Sequence, residues 1–249
     1  MRGFEQQYGD LNFSPRLDFH IDYIEPLLHK RSHERLCQNY EELYNNNIGK
    51  GFTSSLTWVS QNKNSFMHHI YINGINTTYE EGLSNARYLT TLTDKKHNIG
   101  FFYNATHGNM DDVYHARMTL EGLVTTPSFQ LRDEVMQILT RDHRNKVNLI
   151  PHSFGGAVTY HAVNMLPKVL KERVMVHAFA PAKICTPDLA EVVKNYVSTR
   201  DCIPYLDFKN KENRKYLEIL HADEKAPFFD HAFQSPTFKD TLFRILKRL

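Results

Sequence analysis

The chain has 249 residues, of which 41% are hydrophobic and 23% charged, enough apolar material for one sizeable core and too much for a disordered polypeptide. Lysine plus arginine total 30 against 28 acids, and a net charge of +2 lacks the basic excess of a dedicated nucleic-acid binder. Three widely spaced cysteines, Cys37, Cys185 and Cys202, include no CxxC pair, which argues against a disulfide framework or a zinc cage and suits free thiols in a reducing compartment.

The polar N-terminus has no apolar signal core, and no run approaches the roughly 18 apolar residues of a membrane span. The expected location is therefore cytoplasmic, or outside the cell by a route that uses no such signal. Residues 1–60 read as an N-terminal extension with weak helical periodicity over 20–45, closed by the loop-forming Asn45-Asn46-Asn47 and Gly49, Gly51. Residues 61–249 read as the main domain.

Met67–Ile72 (MHHIYI) is a β-prone run ending at Asn73-Gly74. Thr77 and Glu80 have capping-box spacing ahead of a helix with Leu83, Ala86 and Leu89 on one face. Ile99–Tyr103 is the next strand. Thr126-Pro127 supplies an N-cap and first-turn proline for a helix whose Leu131, Val135, Ile138 and Leu139 recur at i, i+4, i+7 and i+8. Val147–Ile150 is a buried-type strand, followed by a helix over 154–166 and a strand over Arg173–Phe179. Asn195–Ser198 and Tyr216–Leu220 predict two more strands. A final helix starts at Ser235-Pro236 with Phe238, Leu242, Ile245 and Leu246 in one stripe. This alternation predicts an α/β fold, a mostly parallel sheet with helices on both faces.

The chemistry concentrates at Pro151-His152-Ser153-Phe154-Gly155-Gly156, where an apolar strand runs into a serine and then into a helix. A nucleophile elbow needs that order, with small residues two positions either side of the serine where strand and helix nearly touch. The turn aims the amide of Phe154 at a substrate oxygen, beside the positive end of the helix. Pro151 departs from the glycine of G-x-S-x-G. Asp201 follows a strand in Arg200-Asp201-Cys202-Ile203-Pro204, and His231 precedes the last helix in Phe229-Asp230-His231-Ala232. His221, directly after a strand, competes with His231.

On these residues the chain, over about 65–249, resembles the lipase/esterase branch of the α/β-hydrolase superfamily. The segments INGINTT (72–78) and FFYNATHG (101–108) also resemble an uncharacterised chlamydial family of hydrolase-like proteins. The resemblance implies a triad of Ser153, His231 and Asp201, and an oxyanion hole made by the amides of Phe154 and Ile75, with Gly74 allowing close approach. It implies a serine hydrolase that cleaves an ester, thioester or related acyl bond on a lipid or protein-linked acyl substrate, with no cofactor. The short stretch between the strands at 173–179 and 195 leaves no room for a large cap domain. The 104–125 segment and the N-terminal extension remain as covers for the site.

Other readings stand beside this one. Pro151 and the rival His221 leave open a catalytically inactive hydrolase fold used for binding, and the same triad serves peptidases and acyltransferases. His107, Asp111, Asp112 and His115 read as a solvated loop ahead of a metal site. His68 and His69, adjacent in a strand, point to opposite faces, and His152 reads as a locally packed or hydrogen-bonded residue. Neither a P-loop nor a GxGxxG is present.

Overall fold

The structure, a computed structural model, describes residues 54–93, 96–105, 116–117 and 119–248. The expected helix over 20–45 and the His107, Asp111, Asp112 and His115 group lie outside the described residues.

Short runs rich in β-branched and aromatic residues pair into one seven-stranded sheet. The strands are β1 (Ser55–Ser60), β2 (Met67–Ile72), β3 (Asn98–Tyr103), β4 (Lys146–Pro151), β5 (Val174–Phe179), β6 (Val192–Ser198) and β7 (Leu217–Leu220), in the spatial order β1-β3-β2-β4-β5-β6-β7. Only β1 runs antiparallel, against β3. β1 is not among the expected strands: its brief SLTWVS run falls within the segment read as the N-terminal extension.

Among the described residues, five α-helices cover the sheet: α1 (Tyr79–Leu92), α2 (Thr126–Arg141), α3 (Gly155–Asn164), the single turn α4 (Lys168–Lys171) and α5 (Pro236–Arg248). Period-two alternation along the strands sorts the core into two faces. Ile70, Ile72, Leu149 and Val176 meet Leu131, Val135 and Leu139 of α2 and Ala157 and Val158 of α3. Tyr71, Phe101, Ile150 and Phe179 on the other face meet Ala86 and Leu89 of α1 and Phe238, Leu242 and Leu246 of α5. Residues 180–191 alone join β5 to β6, so no cap domain is inserted there.

Two helix starts fall one residue from their expected places. The capping box is Thr78 with Glu81, because Thr77 turns its hydroxyl to the Ile75 carbonyl, 3.3 Å away. Thr78 Oγ1 accepts from the Glu81 amide at 3.2 Å, and the Glu81 carboxylate accepts from the Thr78 amide at 2.8 Å. Helix α2 has Thr125 at its N-cap, where the extended backbone lets the Thr125 carbonyl accept from the Ser128 amide at 2.9 Å. Thr126 is therefore already helical.

The strand order fixes where a site can form. From β2 the chain crosses to β3 on one side; from β4 it proceeds to β5, β6 and β7 on the other. The carboxyl ends of the adjacent strands β2 and β4 thus mark the point where the winding reverses, the place at which open α/β sheets leave a crevice. Gly74 follows β2 there, and Ser153 follows β4.

Candidate active site

Ser153 occupies the turn between β4 and α3 with φ of 54°, a left-handed conformation that an L-residue adopts at a cost. The surroundings hold it there. Its amide donates to the Phe179 carbonyl at 3.1 Å, and its carbonyl accepts from the Gly156 and Ala182 amides at 3.0 and 2.9 Å. A Cβ on Gly155 would lie 2.6 Å from the Ile72 carbonyl oxygen, and one on Gly156 would lie 2.9 Å from the Pro181 Cβ. Both glycines are required by crowding between helix and neighbouring strands.

Pro151 fits this turn for a reason readable in the ladder. The His152 amide bonds across to Ile72 on β2 and the Ser153 amide to Phe179 on β5, so an N–H at 151 would face β5. The β4–β5 pairing runs from Val147 to Leu149, skips Pro151 and resumes as a bridge between His152 and Phe179. Only one ladder bond is forgone.

Three residues distant in sequence meet above this edge. His231, in the loop between β7 and α5, places Nε2 2.9 Å from Ser153 Oγ and Nδ1 2.9 Å from Asp201 Oδ2. A carboxylate oxygen can only accept, so Nδ1 carries the hydrogen and Nε2 is left to accept from the serine hydroxyl. Asp201, just past β6, is buried, and its other oxygen accepts from the Ile203 amide at 2.9 Å. The imidazole packs against Phe229, with ring centroids 5.5 Å apart, and against His152 at 4.9 Å. His221, its rival, is exposed after β7 and bonds to neither Ser153 nor Asp201.

The segment after β2 closes the other side. A Cβ at Gly74 would sit 2.7 Å from Ser153 Cβ, so only glycine lets this backbone pass so near the serine. Asn73 was not singled out by sequence reasoning, yet it organises the segment. Fully buried, it donates through Nδ2 to the Gly74 and Asn104 carbonyls, each at 2.9 Å, and accepts from the Asn104 amide at 2.7 Å. Because a trans peptide points its C=O and N–H in opposite directions, holding the Gly74 carbonyl also fixes the direction of the Ile75 amide.

Other histidines are held apart from this group. Asn148 accepts from His177 Nδ1 at 2.7 Å and donates to His69 Nδ1 at 3.0 Å, linking β5, β4 and β2 within the core. Burial lowers His69 to about 3 and His177 to about 4. A hollow of about 360 Å³ bordered by Lys96, His97, Arg144 and Lys146 lies at the amino ends of β2 and β4, opposite Ser153. Among the described residues Cys185 and Cys202 are free thiols, and no group of three or more acids, histidines or cysteines could hold a metal ion. No helix among them is long and apolar enough to cross a membrane.

No protein-family model and no curated protein sequence matches the chain. Solved structures do. The chain is similar to a Trichoderma reesei cutinase solved with a phosphonate inhibitor, at 9% identity and a TM-score of 0.43 over 84% of this chain and 85% of that one. It is similar to a lipase-esterase related protein from Clostridium acetobutylicum, at 13% identity and a TM-score of 0.46 over 79% of this chain and 99% of that one. An α/β serine hydrolase without lid from Xanthomonas campestris matches at 13% identity and a TM-score of 0.42, over 78% and 92%. The strand order, the lone antiparallel β1 and helices on both faces have their own bearing. They make it an α/β fold, a mostly parallel sheet with helices on both faces.

Within this α/β fold, Ser153, Asp201 and His231 converge on one point, with Gly74 beside the serine. Phe154 caps α3, its side chain buried. His152, expected to pack or hydrogen-bond, does both: its ring packs against His231 and Phe233, and its Nε2 bonds to the His231 carbonyl, 2.6 Å away. Nothing in the spacing of PHSFGG signals a partner 79 residues away.

Proposed function

We propose that the protein is a serine hydrolase that cleaves an ester, thioester or related acyl bond through an acyl-enzyme intermediate. One observation carries this reading: the unbroken line from Ser153 Oγ through His231 to Asp201, two hydrogen bonds of 2.9 Å, at the end of a strained strand-to-helix turn.

In this mechanism Ser153 Oγ attacks the acyl carbon while its proton passes to His231 Nε2. Asp201 holds the imidazole in the tautomer that accepts that proton and stabilises the imidazolium that results. The negative charge on the carbonyl oxygen is met by the amides of Phe154 and Ile75, the latter oriented through Asn73 and the Gly74 carbonyl. His231 then returns the proton to the leaving oxygen or sulfur, giving acyl-Ser153. Water, deprotonated by the same His231, attacks the acyl carbon, and His231 passes that proton to Ser153 Oγ as the acyl–oxygen bond breaks, releasing the acid and free Ser153. Every step uses groups of this chain. The short β5–β6 connection favours an acyl substrate that approaches without displacing a large cap.

Intact-mass labelling with a fluorophosphonate tests the reading. A single adduct is expected on the native protein, lost in Ser153→Ala, slowed by about 10³-fold or more in His231→Ala, and retained in His221→Ala. A folded native protein that takes no label favours the inactive alternative, a binding module on this scaffold. Unlabelled native protein assayed with oxygen esters, thioesters and acyl-amides, with the labelled protein as the inactive control, then separates esterase, thioesterase and peptidase activities.

A further inference from the structure

We propose that His152 is a positioning residue for His231: its Nε2–H donates to the His231 carbonyl and locks the loop that carries the base onto the nucleophile turn. The proposal rests on the hydrolase reading above and goes beyond it, because His152 belongs to neither the triad nor the oxyanion hole.

The acceptor is a main-chain carbonyl, which cannot donate, so the hydrogen must sit on His152 Nε2. At 2.6 Å the bond is shorter than the usual N–H···O distance of about 2.9 Å. Burial among apolar neighbours pushes the ring to about 3, so it is neutral, with its single N–H committed to this contact.

The two ends of the bond differ in rigidity. His152 is fixed by its own backbone, which donates to Ile72 and accepts from Gly155 at 2.9 Å each and bridges to Phe179. The ring packs against Phe233, 5.8 Å between centroids, in the aromatic cluster with Tyr71 and Phe179. His231 lies instead in an irregular segment between β7 and α5. That segment is tied down away from the base by the Arg200 guanidinium on the Ala226 carbonyl at 3.1 Å, the Asp230 amide 3.3 Å from the Arg200 carbonyl and the Phe233 ring against Tyr71 and Phe179, whereas the His152 bond is made at His231 itself.

A base acts on a serine hydroxyl only within a few tenths of an ångström of its working place, and a misplacement of about 1 Å costs on the order of 10²-fold in rate. An apolar ring at 152 would fill the same space without the donor. The polar atom, buried beside the nucleophile and aimed at the backbone of the base, is what the positioning role explains.

The test compares three forms of the full chain: native, His152→Phe and His152→Gln, whose amide nitrogen can donate from near the place of Nε2. Each is assayed for thermal midpoint, fluorophosphonate labelling rate, and kcat and KM on p-nitrophenyl butyrate. The Phe variant is expected to lose about 10–100-fold in kcat and labelling with KM within about threefold, and the Gln variant to recover most of the loss. A folded Phe variant within threefold of native kcat, or a Gln variant as slow as Phe, overturns the proposal. Should the Phe variant fail to fold, His152→Asn replaces it, polar but too short to reach the carbonyl; Gln fast with Asn slow supports the role, and equal rates overturn it. A native protein that takes no label overturns the hydrolase reading and this proposal together. A labelled native protein with an unaffected Phe variant overturns this proposal alone.

Discussion

Histidines occur in the middle of the central strands and again beyond their carboxyl ends, and the two sets are handled in opposite ways. In the middle, His69 and His177 give their Nδ1 atoms to one Asn148 side chain and are sealed from water. Beyond the ends, His231 keeps partial exposure of its side chain, bonds to a carboxylate on one nitrogen and faces a serine hydroxyl with the other. The same side chain is a structural crosslink in one region and a candidate base in the other. The difference lies in the partners: an amide that closes the network, or a carboxylate and hydroxyl between which a proton can move. Backbone strain divides the same way. All three described non-glycine residues with positive φ, namely Asn76, Ser153 and Ala180, follow the carboxyl ends of β2, β4 and β5.

The largest effect expected from breaking this division is on activity. Asp201→Asn keeps the shape of the side chain but offers an N–H where His231 Nδ1 needs an acceptor, favouring the wrong tautomer. A fall in kcat of about 10⁴ is expected, with the thermal midpoint little changed. If Asp201→Asn hydrolyses p-nitrophenyl butyrate within tenfold of native, Asp201 is not the orienting acid.

Acid titration then probes the buried rings, His69 and His177 within the strands together with His152 just beyond the end of β4. His69 and His152 are lowered to about 3 and His177 to about 4, in each case by burial, whereas the unfolded chain protonates them near 6.5. Above 6.5 neither state is charged and these groups contribute no slope. As pH falls below 6.5 the unfolded state gains protons that the folded state refuses, so stability is lost progressively toward pH 4 and below. The loss is on the order of 2 kcal/mol for each buried ring at pH 5. Thermal midpoints measured from pH 8 to 4 should stay level above about 7 and drop below it; a profile flat to pH 4.5 would show that these rings are not buried neutral.

Much of this was open to sequence reading, and the reasons are local. The repeating apolar stripe of α2 and the alternation of Tyr71 against Ile70 and Ile72 are each set within one element, so periodicity reveals them. The order serine, acid, histidine reads along the chain as well, since each residue follows or precedes an element at a fixed place. What stayed hidden depends on pairs far apart. Asn148 looks like a polar interruption of a strand until β2 and β5 bring His69 and His177 to it. Likewise the choice between His221 and His231 needs the loop path from β7 to α5, which no spacing encodes. Pro151 looked like a flaw in the motif; the unpaired register on β5 removes the objection.

Asn148→Leu tests the hidden crosslink directly. The new side chain has similar volume but cannot bond, leaving two buried imidazole nitrogens without partners. A loss of about 2–4 kcal/mol is expected, read as a midpoint lowered by about 5–15 °C. The labelling rate at 25 °C should hold within about threefold, because the network does not reach Ser153. A variant as stable as native would mean that the histidines find other partners.

The smallest effect separates anchoring of a helix from anchoring of the site. The segment from Gly74 to Thr78 is held at both ends: by Asn73 toward the serine and by the Thr78–Glu81 box at the start of α1. Thr78→Ala removes the side-chain acceptor for the Glu81 amide and leaves Asn73 intact. The cap lies on the exposed side, so the orphaned amide can turn to water, and about 1 kcal/mol or a fall of about 2–4 °C in the midpoint is expected. Labelling should be unchanged, since the direction of the Ile75 amide is set from the Asn73 end. Were Thr78→Ala to slow labelling tenfold while costing so little stability, the box would be holding the oxyanion segment as well as the helix, and Asn73 alone could not be credited with its orientation.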